Sequence, residues 1–264
     1  MSLDQSLEFA GKSVVVTGAG AGMGKQITLD FLKQGATVVA VEIKDASHQA
    51  LKKELSDGYE EELVQRFIPF VGDVSEQKTN EDMIKKAIEA NRRIDILVNN
   101  AGIAGRSEPV TETRNEDWDR ILAVDLTGPM YAIREAVSRM LEQDTGGNIV
   151  TIASVAGQKS GRSSVAYTVA KHGLIGLCEH TAWAYMHKGI RSNLVCPGAI
   201  KTDMASHTAT ESAFGRQRIL AALDPQIVTG ETCDISRTVL FLASDKAKFI
   251  NGASIVVDGG LSCG

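Results

Sequence analysis

The chain has 264 residues, with 28 basic and 33 acidic side chains and a formal net charge of −5. A chain this long buries roughly three-quarters of its unfolded surface, so it needs no disulfide or metal staple. The acidic balance speaks against a nucleic-acid protein working through a basic surface, and no apolar run reaches the ~20 residues of a membrane span. Short β-branched runs at Ser13–Thr17, Thr37–Glu42, Arg66–Val71, Ile94–Asn99, Gly147–Ala153, Arg191–Cys196 and Ser254–Val257 read as strands. Most are continuously apolar, as expected of strands covered on both faces. Helical patterns fall between them near 22–34, 45–57, 75–91, 115–142, 164–188 and 231–243. This alternation predicts an α/β fold over residues 1–264: one doubly wound parallel sheet of the Rossmann type, with helices on both faces and right-handed crossovers.

The first eleven residues carry Asp4 and Glu8 and no apolar core, unlike a secretory signal. The four cysteines (178, 196, 233 and 263) form no CxxC pair and read as reduced, mostly buried thiols of a cytoplasmic protein. The five histidines show no zinc-ligand spacing, so no metal is expected; His180 and His187 read as a packed or solvated helix face.

Ligands of such sheets sit at the carboxyl ends of the strands. There the first strand runs into Gly18-Ala19-Gly20-Ala21-Gly22-Met23-Gly24. Gly18 permits a tight turn, Gly22 lets backbone approach a pyrophosphate, and Gly24 lets the following helix pack on the strand. The helix N-terminus offers N–H groups to phosphates. Glu42 ends the second strand 20 residues beyond Gly22, placed to accept the hydroxyls of an adenosine ribose and to repel a 2′-phosphate, which favours NAD over NADP. Asp73, followed by Val74, either faces the adenine or caps the next helix. Asn99-Asn100-Ala101-Gly102 follows the fourth strand, with small residues that admit a dinucleotide and amides that brace neighbouring backbone.

Tyr167 and Lys171 stand four residues apart on one helix face, and Ser154 closes the fifth strand. Moving a hydride to or from a carbonyl carbon requires a proton to move on its oxygen. A free phenol, with a pKa of about 10, is too weakly acidic for a base at neutral pH; lowering it by ~2.5 units takes ~3.4 kcal/mol. A cation at ~4 Å supplies about 4 kcal/mol at an effective dielectric near 20, so Lys171 is expected to suffice, helped by a positive nicotinamide ring. Ser154 would hold the substrate oxygen. Pro129 lacks the N–H that would meet the carbonyl of Asp125, which predicts either a kink that frees this carbonyl for a water or Lys171, or a kink made for packing alone.

Together these residues resemble the classical short-chain dehydrogenase/reductase family, from Gly11 to about Gly260. The resemblance rests on Thr17-Gly18 through Gly24, Asn99–Gly102, Ser154, Tyr167 with Lys171, Pro197-Gly198 with Thr202, and Asp258-Gly259-Gly260. It implies that Ser154, Tyr167 and Lys171 are catalytic, with Tyr167 as the acid/base. It further implies that Gly20, Ala21, Met23, Asp73, Val74, Asn99, Ala101, Gly102, Tyr167, Lys171, Pro197, Gly198, Ile200 and Thr202 line the cofactor, and that the protein is a homotetramer or homodimer built on the helices near 115–142 and 164–188. The family's fourth catalytic residue is usually Asn; here Asp125 stands in its place and is read as catalytic, tolerable if the role belongs to the backbone carbonyl and consequential for the pH profile if the side chain takes part.

Substrate choice should rest on the segment near 199–223, where Met204, Ala205, Ala213, Phe214, Ile219, Leu220, Ala221 and Leu223 are interspersed with Arg216 and Arg218. That favours an apolar secondary alcohol or ketone of hydroxysteroid type. The alternatives are a 3-oxoacyl thioester reductase, which goes with NADPH, and a non-catalytic NAD-binding regulator.

Overall fold

A computed structural model describes residues 7–202, 212–222 and 227–263. Seven strands form one parallel sheet: β1 (Ser13–Thr17), β2 (Thr37–Glu42), β3 (Phe67–Val71), β4 (Ile96–Asn99), β5 (Gly147–Ile152), β6 (Ile190–Pro197) and β7 (Ser254–Val257), in the spatial order β3-β2-β1-β4-β5-β6-β7. All six pairings are parallel. The order reverses direction between β1 and β4, and the crevice at that switch point is where the glycine turn and the Asn99–Gly102 turn meet.

The helices are α1 (Gly22–Lys33), α2 (Asp45–Gly58), α3 (Glu61–Gln65), α4 (Gln77–Asn91), α5 (Asn115–Leu122), α6 (Gly128–Met140), α7 (Val165–Tyr185), α8 (Ala213–Ala222) and α9 (Thr232–Ala243). Successive side chains of a strand point to opposite faces, and each face has its own core. Val14 and Val16 pack with Ile27 and Phe31 of α1, Leu51 of α2 and Val239 of α9. Val15, between them, packs with Met83 of α4 and Ala136 and Met140 of α6. α7 closes the second face farther along, where Leu174 and Cys178 meet Leu194 and Cys196 of β6.

Several expectations need correction. The pattern near 115–142 is not one helix: α5 and α6 are separated by a π-helical stretch, Ala123–Thr127. Pro129 has no N–H to offer, and the Gly128 N–H reaches five residues back to the Ala123 carbonyl. α7 ends at Tyr185 and continues as a 3₁₀ turn, Met186–Lys188, so His187 does not extend its face; His180 stacks on Trp183, with ring centroids 5.8 Å apart. β3 alternates in burial because it is an edge strand, leaving Val71 exposed. Two helices were not anticipated: α3, a five-residue segment too short for a periodic signal, and α8, inside the segment read as a substrate loop. Met204, Ala205 and Leu223 lie outside the described residues. Of the four unpaired cysteines only Cys178 and Cys196 are buried; Cys233 is partly buried and Cys263 is exposed.

Candidate active site

The glycine turn is held from beneath by the turn after β4. The Thr17 hydroxyl accepts from the N–H groups of Asn100 (3.0 Å) and Ala101 (3.1 Å), and the Asn100 amide donates to the carbonyls of Thr17 (2.9 Å) and Gly18 (3.2 Å). Gly18 adopts φ +64°, and a Cβ there would lie 2.9 Å from the Ala101 Cα. Gly22 adopts φ +52° beside Thr202, and a Cβ on Gly24 would stand 2.0 Å from the Gly18 carbonyl oxygen. α1 opens at Ala21, Gly22 and Met23 with no side-chain cap and no acidic residue in its first turn. The protein therefore leaves its positive end to an outside acceptor.

Glu42 reaches this turn. Its Oε2 accepts from the Gly20 N–H (3.2 Å), and its Oε1 from the N–H groups of Ile43 (3.0 Å) and Lys44 (3.2 Å). A side chain on Gly20 would collide with Ser47 and Glu42, so glycine there is a condition of the carboxylate's position. Asp73 caps locally, its Oδ1 accepting from the N–H (2.9 Å) and hydroxyl (2.7 Å) of Ser75. Val74 is buried, and its carbonyl accepts from Asn80 (2.8 Å). The Asn99 side chain turns into the sheet, onto Thr151 (3.3 Å), so the bracing amide of this turn is Asn100, not Asn99. Gly198 passes against Asp258, Ile200 bridges to Gly230, and Thr202 abuts Gly22, which brings the Pro197–Thr202 segment to the glycine turn.

At the end of β5, Ser154 opens a 3₁₀ turn (Val155–Gly157), its hydroxyl accepting from the Ala156 N–H (3.1 Å). Ser164 caps α7 by accepting from the Tyr167 N–H (3.3 Å). Tyr167 thus stands in the first turn of α7, partly open to the cleft, with Ser154 near enough to act on its phenol. One turn on, the Lys171 ammonium lies 5.2 Å from the Tyr167 ring centroid and donates to the Ile152 carbonyl (3.2 Å).

Asp125 reaches the group through its side chain. It is 0% exposed; Oδ1 accepts from the Ile103 N–H (2.9 Å), and Oδ2 lies 3.1 Å from the Lys171 Nζ as an ion contact. Burial raises the carboxyl above its ordinary range despite Lys171. Burial alone would lower the Lys171 ammonium, but Asp125 and Tyr167 outweigh it and leave it raised. Tyr167 is raised as well: burial outweighs the pull of Lys171, and the Asp125 charge adds to the rise. Lys171 pulls the phenol down, the direction its spacing from Tyr167 predicts. Ile103 and Ile152 act here only through backbone groups, which no side-chain pattern announces.

A depression of about 900 Å³ lies elsewhere, at the amino ends of the strands, lined by Asp95, Trp183, Arg191 and Phe249 among others. Its charged groups pair with one another, Lys12 with Asp95 (3.5 Å) and Lys246 with Glu8 (2.9 Å), at the end of the sheet away from the glycine turn.

Residues 18–262 match the family described as enoyl-(acyl carrier protein) reductase. A 3β-hydroxysteroid dehydrogenase of Eggerthella lenta is 36% identical, covering 96% of this chain and 95% of its own. This chain belongs to the short-chain dehydrogenase/reductase family. A 3-oxoacyl-(acyl-carrier-protein) reductase of Thermotoga maritima is 33% identical over 97% of this chain and 99% of its own. The crystal structure of a levodione reductase superposes with a TM-score of 0.85 at 29% identity, covering 97% of this chain and 99% of that one. The protein is thus an oxidoreductase of alcohol or ketone substrates with a nicotinamide cofactor. The uncapped α1 terminus and the close-packed glycines fit such a dinucleotide.

Proposed function

We propose that this protein is an NAD-dependent oxidoreductase interconverting an apolar, hydroxysteroid-like secondary alcohol and its ketone. The observation that carries the reading is the convergence of Ser154, Tyr167, Lys171 and Asp125 beside the glycine turn. The Gly18–Gly24 turn and the start of α1 would hold the pyrophosphate, Glu42 the adenosine ribose, Asp73 and Val74 the adenine side, Asn99, Ala101 and Gly102 the middle of the dinucleotide, and Pro197, Gly198, Ile200 and Thr202 the nicotinamide end. The bound cofactor supplies or takes up the hydride. Ser154 orients the substrate oxygen, Tyr167 gives or takes the proton on that oxygen, and Lys171 holds positive charge beside the phenol. Asp125 acts through Lys171 and is a positioning residue.

Glu42 supports NAD, because its carboxylate, held at the Gly20 N–H, would repel a 2′-phosphate on a ribose bound beside it. Exposed Phe214 and Leu220 on α8, within the 199–223 segment, and the steroid-dehydrogenase relative support an apolar substrate. The Thermotoga relative favours a second reading, reduction of a 3-oxoacyl thioester. Exposed Val169, Trp183 and Met186 on and just after α7 support a homodimer or homotetramer, which light scattering measures. Among the described residues no helix is long and apolar enough to cross a membrane; we assign the protein to the cytoplasm, with no nucleic-acid or membrane partner, and fractionation tests that assignment.

The deciding experiment follows nicotinamide absorbance with a panel of secondary alcohols, hydroxysteroids included, and 3-oxoacyl thioesters, using NAD and NADP. Turnover of steroid alcohols with NAD is expected at alkaline pH, and Tyr167→Phe should abolish it while dinucleotide binding survives. An active Tyr167→Phe variant refutes the acid/base role; preference for NADP with thioesters establishes the second reading.

A further inference from the structure

Asp125 differs from the Asn expected in its place by one charge and almost no volume. It is fully buried, anchored by the Ile103 N–H at 2.9 Å, and its Oδ2 stands 3.1 Å from the Lys171 Nζ. Gly102 closes the pair off: a Cβ there would be 3.0 Å from Oδ2 and 3.4 Å from Nζ. The groups that act on the Tyr167 phenol are Lys171 on its own helix, Asp125 from the π-helical stretch and the Ser154 hydroxyl from the end of β5. From β6, the Cys196 thiol faces Lys171; burial pushes it up to about 11, so it brings no charge near neutral pH. The phenol therefore faces an ammonium already matched by a carboxylate. A matched pair acts as a dipole, whose field falls off faster than that of a single cation.

We infer that the Asp125 carboxylate cancels much of the field of Lys171 at the Tyr167 phenol, and so sets the site for carbonyl reduction at neutral pH and for alcohol oxidation only at alkaline pH. The inference rests on the acid/base role of Tyr167 proposed above. Reduction needs the phenol with its proton on, and oxidation needs the phenolate. In reduction the carbonyl carbon takes a hydride from a reduced nicotinamide dinucleotide, the π pair moves to oxygen, and that oxygen takes the Tyr167 proton. The phenolate then regains a proton from solvent. In the Asn variant Lys171 acts unopposed and the phenolate forms at lower pH.

The test is Asp125→Asn in the full chain, read first without cofactor. The chain has four tyrosines, so the ultraviolet tyrosinate titration of each protein minus that of its Tyr167→Phe version isolates Tyr167. We expect its titration to move down by about one pH unit or more, from removing one charge next to the ammonium. The rising limb of alcohol oxidation and the falling limb of ketone reduction should move down with it. An unmoved titration, or equal loss of both directions with unshifted limbs, overturns the inference and leaves Asp125 a packing residue. Should Asp125→Asn not fold, Asp125→Ser removes the same charge and carries the same expectations. A Tyr167→Phe enzyme that still turns over would instead defeat the acid/base reading, whatever the titration shows.

Discussion

Replacing Gly24 with alanine tests how the glycine turn is built. The new Cβ would lie 2.0 Å from the Gly18 carbonyl oxygen and 2.4 Å from the Asn100 Nδ2, whereas ordinary contact begins at 3.4 Å. More than 1 Å of movement is required, and the obstacle is backbone. Either α1 backs away from β1, or the Gly18 carbonyl turns and the two Asn100 hydrogen bonds, at 2.9 and 3.2 Å, are lost. Overpacking of this kind costs about 1–3 kcal/mol, and each lost hydrogen bond about 1 kcal/mol. Up to ~1 kcal/mol returns because alanine favours the helix. The net destabilisation is about 1–4 kcal/mol, or a fall in Tm of about 2–8 °C for a chain of this size. The first-turn N–H groups of α1 would move by more than the ~0.5 Å range of a good hydrogen bond, so dinucleotide affinity should fall at least about tenfold, the equivalent of 1.4 kcal/mol. Calorimetric titration with oxidised and reduced dinucleotides, beside thermal unfolding, reads both effects. Gly58→Ala is the control: Gly58 is an exposed helical glycine with nothing within 4 Å of an added Cβ, and its variant should bind and melt like the parent or slightly better. A Gly24→Ala protein with parental Kd and Tm would refute the packing argument.

Glu42→Ala should narrow the preference for NAD over NADP. Two charges ~4 Å apart in water repel by about 1 kcal/mol, so a phosphate near −2 meets about 2 kcal/mol, a ratio of roughly thirtyfold; equal kcat/KM ratios before and after the change would contradict it. The thiols give a separate check. Burial pushes Cys178 up to about 12 and Cys196 up to about 11, so at pH 8 the native protein should yield only Cys233 and Cys263 to a thiol reagent, and all four after unfolding. Because the folded values lie above the unfolded ~8.5, the stability linked to these thiols is complete below that pH and is lost as pH rises through 11–12. Denaturant midpoints measured from pH 8 upward should fall accordingly, and a flat profile would count against the assignment.

Much of the site was legible because its signals are local. A glycine turn between an apolar run and a helical pattern, an acid 20 residues on, and Tyr167 and Lys171 on one helix face depend on spacing within a single element or two. The strands were legible for the same reason, continuous Val and Ile runs being buried on both sides. Pro129 likewise announced a break in the helix near it, though not the π-helical form of that break.

What spacing does not reach is which distant groups meet. The chain alone left open whether Asp125 works through its carbonyl or its carboxylate; the packing of the π-helical stretch against α7 puts the carboxylate 3.1 Å from the Lys171 ammonium. The choice of Asn100 over Asn99 as the brace was also tertiary, since β4 turns the Asn99 side chain into the sheet against Thr151. The sequence by itself determined the sheet, the switch-point crevice and the order of the groups along it, because periodicity and turn chemistry are properties of neighbouring residues. The tertiary structure decided the charge felt by the Tyr167 phenol, because electrostatic fields depend on burial and on distances through space that no linear spacing encodes.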